Sequence, residues 1–577
     1  MKKIISAFIS ILIILSTFSC IAFYAKEPLS EVETIKNYNG YYSIEFKINE
    51  PDEWVYLTGL SVSQVSYIAQ KVADLGPSQT LEDKLFIDAE KLNNDDLNLC
   101  WAAATSNILY YTGWSKNDKI DFETVYDYKD TKTGNLIDYN ENQALLKYYA
   151  DNFTNNGGLV SLGVDWFISG RYDVGIYGNP DSFAKPEISS QGGALFPEYS
   201  MFTLTNTNSL MSDQENKSSE YFGNLISDIK NSNGASLGIN FYEPTDLNTS
   251  LGGHAVTFWG YTYNKSMQMT QPGYFTSFII TDSDDSMLYE STALPGQLPN
   301  LIARVGVEWD RYFNAYVSKT YSPGYIALFM DYTTLVPRSM IKDTPSTVVT
   351  TTKNGIDVTD GEISLLEAMC FSENGLSKTV TFAPEMNGAR FDMDYLWFFE
   401  SDMIIDASAT TSEIYINVDL ATSGMPAFTV MEGKNVTFRN ISIYLTSQSD
   451  KPAIGFVNRG NLTLDGCKIG TEKGISGLAL YGTAGSYSEI INHCNIYFSN
   501  SEKIYLEDGA QIEFKLGDTD KSGKTTLDDA MKVFMHVAGK IILEGSEFTA
   551  SDIDGDSIIT ISDAMRIFKL VAGKFPF

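Results

Sequence analysis

A nucleophilic thiol needs an imidazole to ionise it, and residues 27–340 of this 577-residue chain carry one of each. Cys100 stands in Leu99-Cys100-Trp101-Ala102-Ala103-Ala104-Thr105, and His254 in Gly252-Gly253-His254-Ala255-Val256. After the N-terminal leader no other Cys or His precedes Cys370. Cys100 leads Trp101–Tyr110, a run of helix formers and small residues. A thiol at a helix N-terminus gains from the positive end of the dipole, which lowers its pKa. The N–H of Cys100 itself can help hold an oxyanion. His254 leads the alternating run Ala255–Tyr263, a predicted strand, and a second strand, Phe275–Thr281, delivers Asp282-Ser283-Asp284. A carboxylate at a neighbouring strand end fixes the tautomer of the imidazole. Taken alone, a lone cysteine is as readily a buried core residue.

The elements that position this pair belong to a multidomain chain. Its formal net charge of −32 excludes a phosphate-binding surface, so no nucleic-acid partner is expected, and it leaves carboxylates free for calcium. Residues 1–25 read as a signal peptide, with Lys2-Lys3, an apolar run Ile4–Phe18, and cleavage after Ala22 or Ala25. The expected product is secreted and extracellular, with no membrane segment after cleavage. Cys100, Cys370, Cys467 and Cys494 are too few for a disulfide framework.

Residues 27–340 mix helix and strand patterns and form the first domain; the Thr-rich stretch within 341–354 reads as a linker. From 355 to 510 short alternating strands repeat. Asn435–Tyr444, Asn461–Gly470 and Ser488–Tyr497 overlay with starts 26 and 27 residues apart. Such units bury their inner faces only against neighbours, which predicts an all-β, right-handed parallel β-helix. In that overlay Ile441, Cys467 and Cys494 form one inward column, and His493 faces a surface or turn. Glu362–Met369 followed by Thr379–Phe382 resembles the capping helix and first coil of secreted β-helix proteins.

Residues 512–577 hold a duplicate. Asp529–Lys540 is mirrored by Asp563–Lys574 at an offset of 34, each preceded by a loop with calcium-ligand spacing. The first loop offers Asp518, Asp520, Ser522, the Lys524 carbonyl, Thr526 and Asp529. The second offers Asp552, Asp554, Asp556, the Ile558 carbonyl, Thr560 and Asp563. Position 12 is Asp rather than Glu, and one helix follows each loop. The module closely resembles a type I dockerin, a small all-α calcium-loop domain. The resemblance implies two structural Ca²⁺ ions and a cohesin partner on a scaffoldin, read through Leu527-Asp528 and Ile561-Ser562. Ser557 departs from the pattern where glycine eases the loop turn.

Four segments then resemble the immunoglobulin-degrading IdeS/Mac cysteine endopeptidases: Leu99–Asn107, Trp166–Gly170, Gly253–Gly260 and Thr281–Asp284. The resemblance covers about residues 50–340 and implies an α+β, papain-like fold. By it, Cys100 is the nucleophile, His254 the general acid/base, Asp282 its orienter and Asp284 a supporting carboxylate. Lys91 would be the oxyanion lysine, carried over across one extra residue in Asp95–Cys100. The expected activity is peptide-bond hydrolysis by a secreted cysteine endopeptidase, with a protein substrate such as immunoglobulin, scaffold protein or dietary protein. Two other readings stand beside it: a cellulosomal carbohydrate-binding or polysaccharide-degrading component acting through the β-helix, and a non-catalytic adhesion protein.

Overall fold

The computed structural model describes residues 32–38, 40–49, 51–61, 65, 71, 79–82, 86–91, 98–120, 122, 141–172, 193–199, 201–211, 217–231, 233–284, 301–393, 396–420, 425–446, 453–471, 477–491, 495–497, 504–514, 517–520, 525–554 and 556–572. The leader, His493, Cys494, Ser522, Gly523 and Lys524 lie outside the described residues. No helix of the described residues is long and apolar enough to cross a membrane. The chain forms two compact units, residues 1–197 with 204–341, and residues 342–577 with 198–203.

Among the described residues of the first unit, twelve strands join one sheet. They are β1 (Val32–Tyr38), β2 (Tyr41–Asn49), β3 (Glu53–Ser61), β4 (Gln79–Glu82), β5 (Thr205–Ser209), β6 (Gly234–Glu243), β7 (Asp246–Asn264), β8 (Phe275–Thr281), β9 (Leu301–Gly306), β10 (Glu308–Asp310), β11 (Ala315–Ser318) and β12 (Ile326–Leu335). The main path runs β1-β2-β3-β7-β6-β12-β11-β10 with antiparallel neighbours. Strand β7 is its spine, because its 19 residues pair with β3, β6 and β8. Alternation along β7 sends Val256 and Phe258 to one apolar face, while Trp259 packs with Phe86 and Tyr111 on the other.

Helix α1 (Cys100–Tyr111) carries the thiol, and its small residues Ala102, Ala103 and Ala104 are buried. Asn107 Nδ2 donates to Thr257 Oγ1 on β7 at 2.9 Å, which sets the helix against the sheet at one register. Trp101 anchors the other side of α1, edge-on to Tyr149 and Phe153 at 5.5 and 5.2 Å. Those rings come from the region of α2 (Glu141–Asn152), and α3 (Val160–Ser169) closes the packing. The approach is close enough that a Cβ at Gly163 of α3 would fall 2.8 Å from both the Trp101 ring and Thr105 Oγ1.

In the second unit, the described strands of residues 348–514 form three parallel sheets of seven, five and five strands, a β-helix. Residues Ile405, Phe438, Leu464 and Ile490 stack inward on one face, and Trp397, Phe428, Phe456 and Leu480 on another. Helix α4 (Leu365–Glu373) covers the start of this core, opened by a reciprocal capping box between Ser364 and Glu367. Ile441 and Cys467 are buried in the core, and neither Cys370 nor Cys467 is in a disulfide.

Two local expectations change. Within the Thr-rich stretch, Val348–Val349 is a strand pairing in parallel with Thr381–Phe382, and Val349 is fully buried. β-Branched residues suit a half-buried pleated surface, so the composition of a linker also fits a first strand. The repeat overlay also slips by one residue in the first strand of its third segment, while the second strand keeps it, with Ile469 paired to Ile496. Asn461 pairs with Tyr487, not Ser488, so Ser488 takes the inward column beside Leu462. A one-residue shift exchanges the two faces. The buried Ser488 hydroxyl is tolerated because Asn458 Nδ2 donates to it at 2.8 Å.

At the C-terminus α5 (Leu527–Val537) and α6 (Ile561–Val571) pack together through Ala530, Val533, Ala564 and Ile567. Each opens on a threonine capping box, Thr526 with Asp529 and Thr560 with Asp563.

Gly163→Ala tests how tightly α1 is held. Alanine gains about 1 kcal/mol of helix propensity, whereas overpacking against a caged indole costs about 1–3 kcal/mol. A net loss is expected, read as a lower thermal midpoint of the first unit.

Candidate active site

The helix, the spine strand and the end of β8 bring Cys100, His254 and Asp282 together. His254 Nε2 lies 2.7 Å from Asp282 Oδ1, which leaves Nδ1 for the thiol, and the imidazole is hydrogen-bonded to Cys100. Asp282 is itself held on two sides. The Tyr321 hydroxyl donates to its Oδ2, and the Asp284 N–H donates to its Oδ1 at 3.1 Å. Lys91, 3% exposed, places Nζ 2.6 Å from Asp284 Oδ1, and its N–H donates to the Ser283 carbonyl at 2.9 Å. Asp284 Oδ2 approaches His254 Nδ1 at 3.8 Å. All five residues singled out in the sequence of this domain therefore meet in one place, Lys91 included.

The electrostatics favour charge separation. Burial pushes the Cys100 thiol up, but the His254 charge and hydrogen bond, the Lys91 ammonium and the Ala255 backbone together hold it below its ordinary value. For His254 burial opposes the charged ring, yet Asp282 and Cys100 raise it well above the usual imidazole range. Burial likewise works against the Asp282 carboxylate; His254, Tyr321 and the Asp284 N–H overcome it and bring its pKa down to about 2. Both shifts favour a thiolate–imidazolium pair backed by a carboxylate.

The pair opens onto a cleft of about 750 Å³ walled by Gly157–Ser161, strands β5 and β6, and the Met330–Thr333 part of β12. Helix α1 starts with its first N–H groups free of intrahelical partners, at the thiol. His254, Asp282 and Asp284 also stand close enough to share a cation. The Lys91 ammonium already supplies positive charge on Asp284, so the donor set suits acid–base chemistry with the adjacent thiol better than metal binding.

The second group of singled-out residues lies in the C-terminal helical pair. Carboxylate oxygens of Asp518, Asp520 and Asp529 converge within 4.8 Å, and those of Asp552, Asp554 and Asp563 do the same. Asp529 and Asp563 are fully buried. Thr526 and Thr560 use their hydroxyls at the helix caps, bonded to Asp529 Oδ2 at 3.0 Å and Asp563 Oδ2 at 2.9 Å. Asp556 Oδ1 accepts from the Ile558 N–H at 2.7 Å, and Ile558 is exposed. Ser557 holds a left-handed φ of 65° at the position where a glycine was missed.

Two residues escaped the sequence. Tyr321 lies beyond β11 with no motif around it. Asp331 interrupts the apolar run Ile326-Ala-Leu-Phe-Met330, a signal present in the pattern but not followed. No protein-family model matches this chain, and no curated protein matches it.

The thiol and imidazole shifts set a pH window. Thiolate–imidazolium is populated above the lowered Cys100 value and lost above the raised His254 value. Iodoacetamide labelling of Cys100 should therefore persist below the ordinary thiol range. Asp282→Asn removes the charge that raises His254 and so weakens the imidazolium that holds the Cys100 thiol down, and the acid limb of labelling should move to higher pH. A limb that does not move would show that Asp282 leaves the imidazole unaffected.

Proposed function

We propose that this chain is a secreted cysteine endopeptidase whose C-terminal dockerin attaches it to a cohesin-bearing scaffold. One observation carries the catalytic half: a hydrogen-bonded Cys100–His254–Asp282 relay whose Cys100 and His254 line a cleft large enough for a peptide. In this reading the papain-like character lies in a thiol at a helix start facing an imidazole and carboxylate on successive strands.

The Cys100 thiolate attacks the scissile carbonyl carbon, and the carbonyl electron pair becomes an oxyanion. The Cys100 N–H and the Lys91 ammonium are the donors placed to meet it. His254 gives its Nδ1 proton to the leaving amine as the C–N bond breaks. A water then loses a proton to His254 and attacks the thioester, which restores the thiol pair and releases the acid. Asp282 holds the ring through Nε2 in both halves. Immunoglobulin, scaffold proteins and dietary proteins are the substrates to compare.

The dockerin half rests on the duplicated helices. The converging carboxylates offer oxygen donors alone, which fit a hard cation such as Ca²⁺. Asp518, Asp520 and Asp529 would hold one ion, Asp552, Asp554 and Asp563 the other, and each would neutralise a buried carboxylate. Leu527, Met531 and Val537 on α5 are exposed, as are their duplicates Ile561, Met565 and Val571 on α6. Apolar residues left open in matching positions of both helices suit a protein partner.

A glycan-contacting role for the β-helix has one observation in its favour. Tyr481 and Tyr505 stack at 5.0 Å on neighbouring coils, with Tyr505 42% exposed, a platform that suits sugar rings.

Cys100→Ala and His254→Ala should each abolish cleavage of an immunoglobulin and proteome-derived peptide panel read by mass spectrometry, with circular dichroism unchanged. Full activity in either variant overturns the reading, and polysaccharide cleavage that survives Cys100→Ala would favour the carbohydrate alternative. Calcium titration should find two ions per chain. Ser557→Gly relieves a left-handed strain of about 1 kcal/mol, so the second loop should bind about fivefold more tightly.

A further inference from the structure

The cleft beside Cys100 holds one ionisable group that the hydrolysis does not use. Asp331 sits on β12 at the bulge between Phe329 and Asp331, paired across the sheet with Gly238 of β6. Gly238 in turn pairs with Ala255 of β7, next to His254. Directly paired residues point to one face, so Asp331, Gly238 and Ala255 line a single row of the cleft. A Cβ at position 238 would lie 2.3 Å from Asp331 Oδ1; the carboxylate occupies the space that a side chain there would fill. Only glycine leaves it that room. Two inter-strand steps, about 10 Å, separate the Asp331 and Ala255 backbones, a span that a long side chain of a bound peptide can cross.

The carboxylate has no hydrogen-bond or ionic partner among the described residues, and burial alone pushes its pKa up. Its other pair partner Ser209 and the nearby cleft residues Ser236 and Thr333 are neutral, and Lys91 is held 2.6 Å from Asp284. A half-buried carboxylate without a counter-charge is destabilising unless it takes up a proton or a cation arrives from outside. The net charge of −32 adds a field that draws cations toward the protein.

We propose that Asp331 is a specificity-determining residue that receives a lysine or arginine side chain of the peptide substrate in the cleft of Cys100. The proposal rests on the peptidase reading above and names its substrate class: peptides with a basic residue near the scissile bond.

The test is a positional set of fluorogenic peptides, varied among lysine, methionine and glutamate at each position, cleaved by the full chain. At one position the wild type should prefer lysine. Asp331→Asn should lower the lysine-to-methionine ratio of kcat/KM on the order of 30-fold, the effect of losing one partner of a desolvated charge pair. Asp331→Lys should turn the preference toward glutamate. Iodoacetamide labelling of Cys100 reports whether each variant keeps its site. A wild type without basic preference, or an Asp331→Asn ratio equal to the wild type's, overturns the proposal while the peptidase reading stands. A wild type that labels at Cys100 yet cleaves no peptide overturns both.

Discussion

The candidate site of the first unit turns on a buried hydrogen-bond relay along Cys100, His254 and Asp282. Taking an imidazolium and a carboxylate out of water costs several kcal/mol per ion, and the pair returns that only with good geometry and full hydrogen bonding. Here Asp282 accepts from Tyr321 and from the Asp284 N–H as well as from His254. Removing one of these donors would unbalance the rest. The site is thus a network of six side chains, Cys100, His254, Asp282, Tyr321, Asp284 and Lys91, in which Cys100 and Asp282 raise His254 and His254 lowers both of them.

That network needs rigid supports, and they come from three separate stretches of chain. Trp101 locks α1 into an aromatic cage one residue beyond the nucleophile, so the thiol cannot drift without disturbing a fully buried indole. Asn107 pins the same helix to β7 three residues beyond the histidine. Thr281, just before Asp282, accepts from the Trp259 indole N–H at 3.0 Å, which ties the carboxylate's strand to the strand of the imidazole. Cys100, His254 and Asp282 are each one to three residues from a buried hydrogen bond or ring contact.

The convergence of Cys100, His254 and Asp282 was legible because they are rare in composition and because local pattern places them: a helix start, the run Ala255–Tyr263 after His254, and the end of the next strand. Lys91 was legible only through family likeness, since nothing local marks it. Tyr321 and Asp331 were not read, because their roles arise from strands that meet only in the folded sheet. The β-helix repeat was legible as a period, yet its register failed at Ser488, where a polar residue occupies an apolar column through a bond to Asn458. The Thr-rich stretch misled for the opposite reason. Valine within threonine reads as loop by composition and as strand by shape.

The β-helix carries a consequence for how the chain acquires its structure. Most paired strands on its faces lie 24 to 28 residues apart, as Asn435 does from Asn461 and Ile441 from Ile414. Most of these pairings therefore close loops of nearly the same length, and among the described strands of the β-helix each pairs with one on a neighbouring coil. Growth can begin at the coil covered by α4 and advance coil by coil as the chain emerges. The second unit is in this sense self-timed, with each coil serving as the template for its successor.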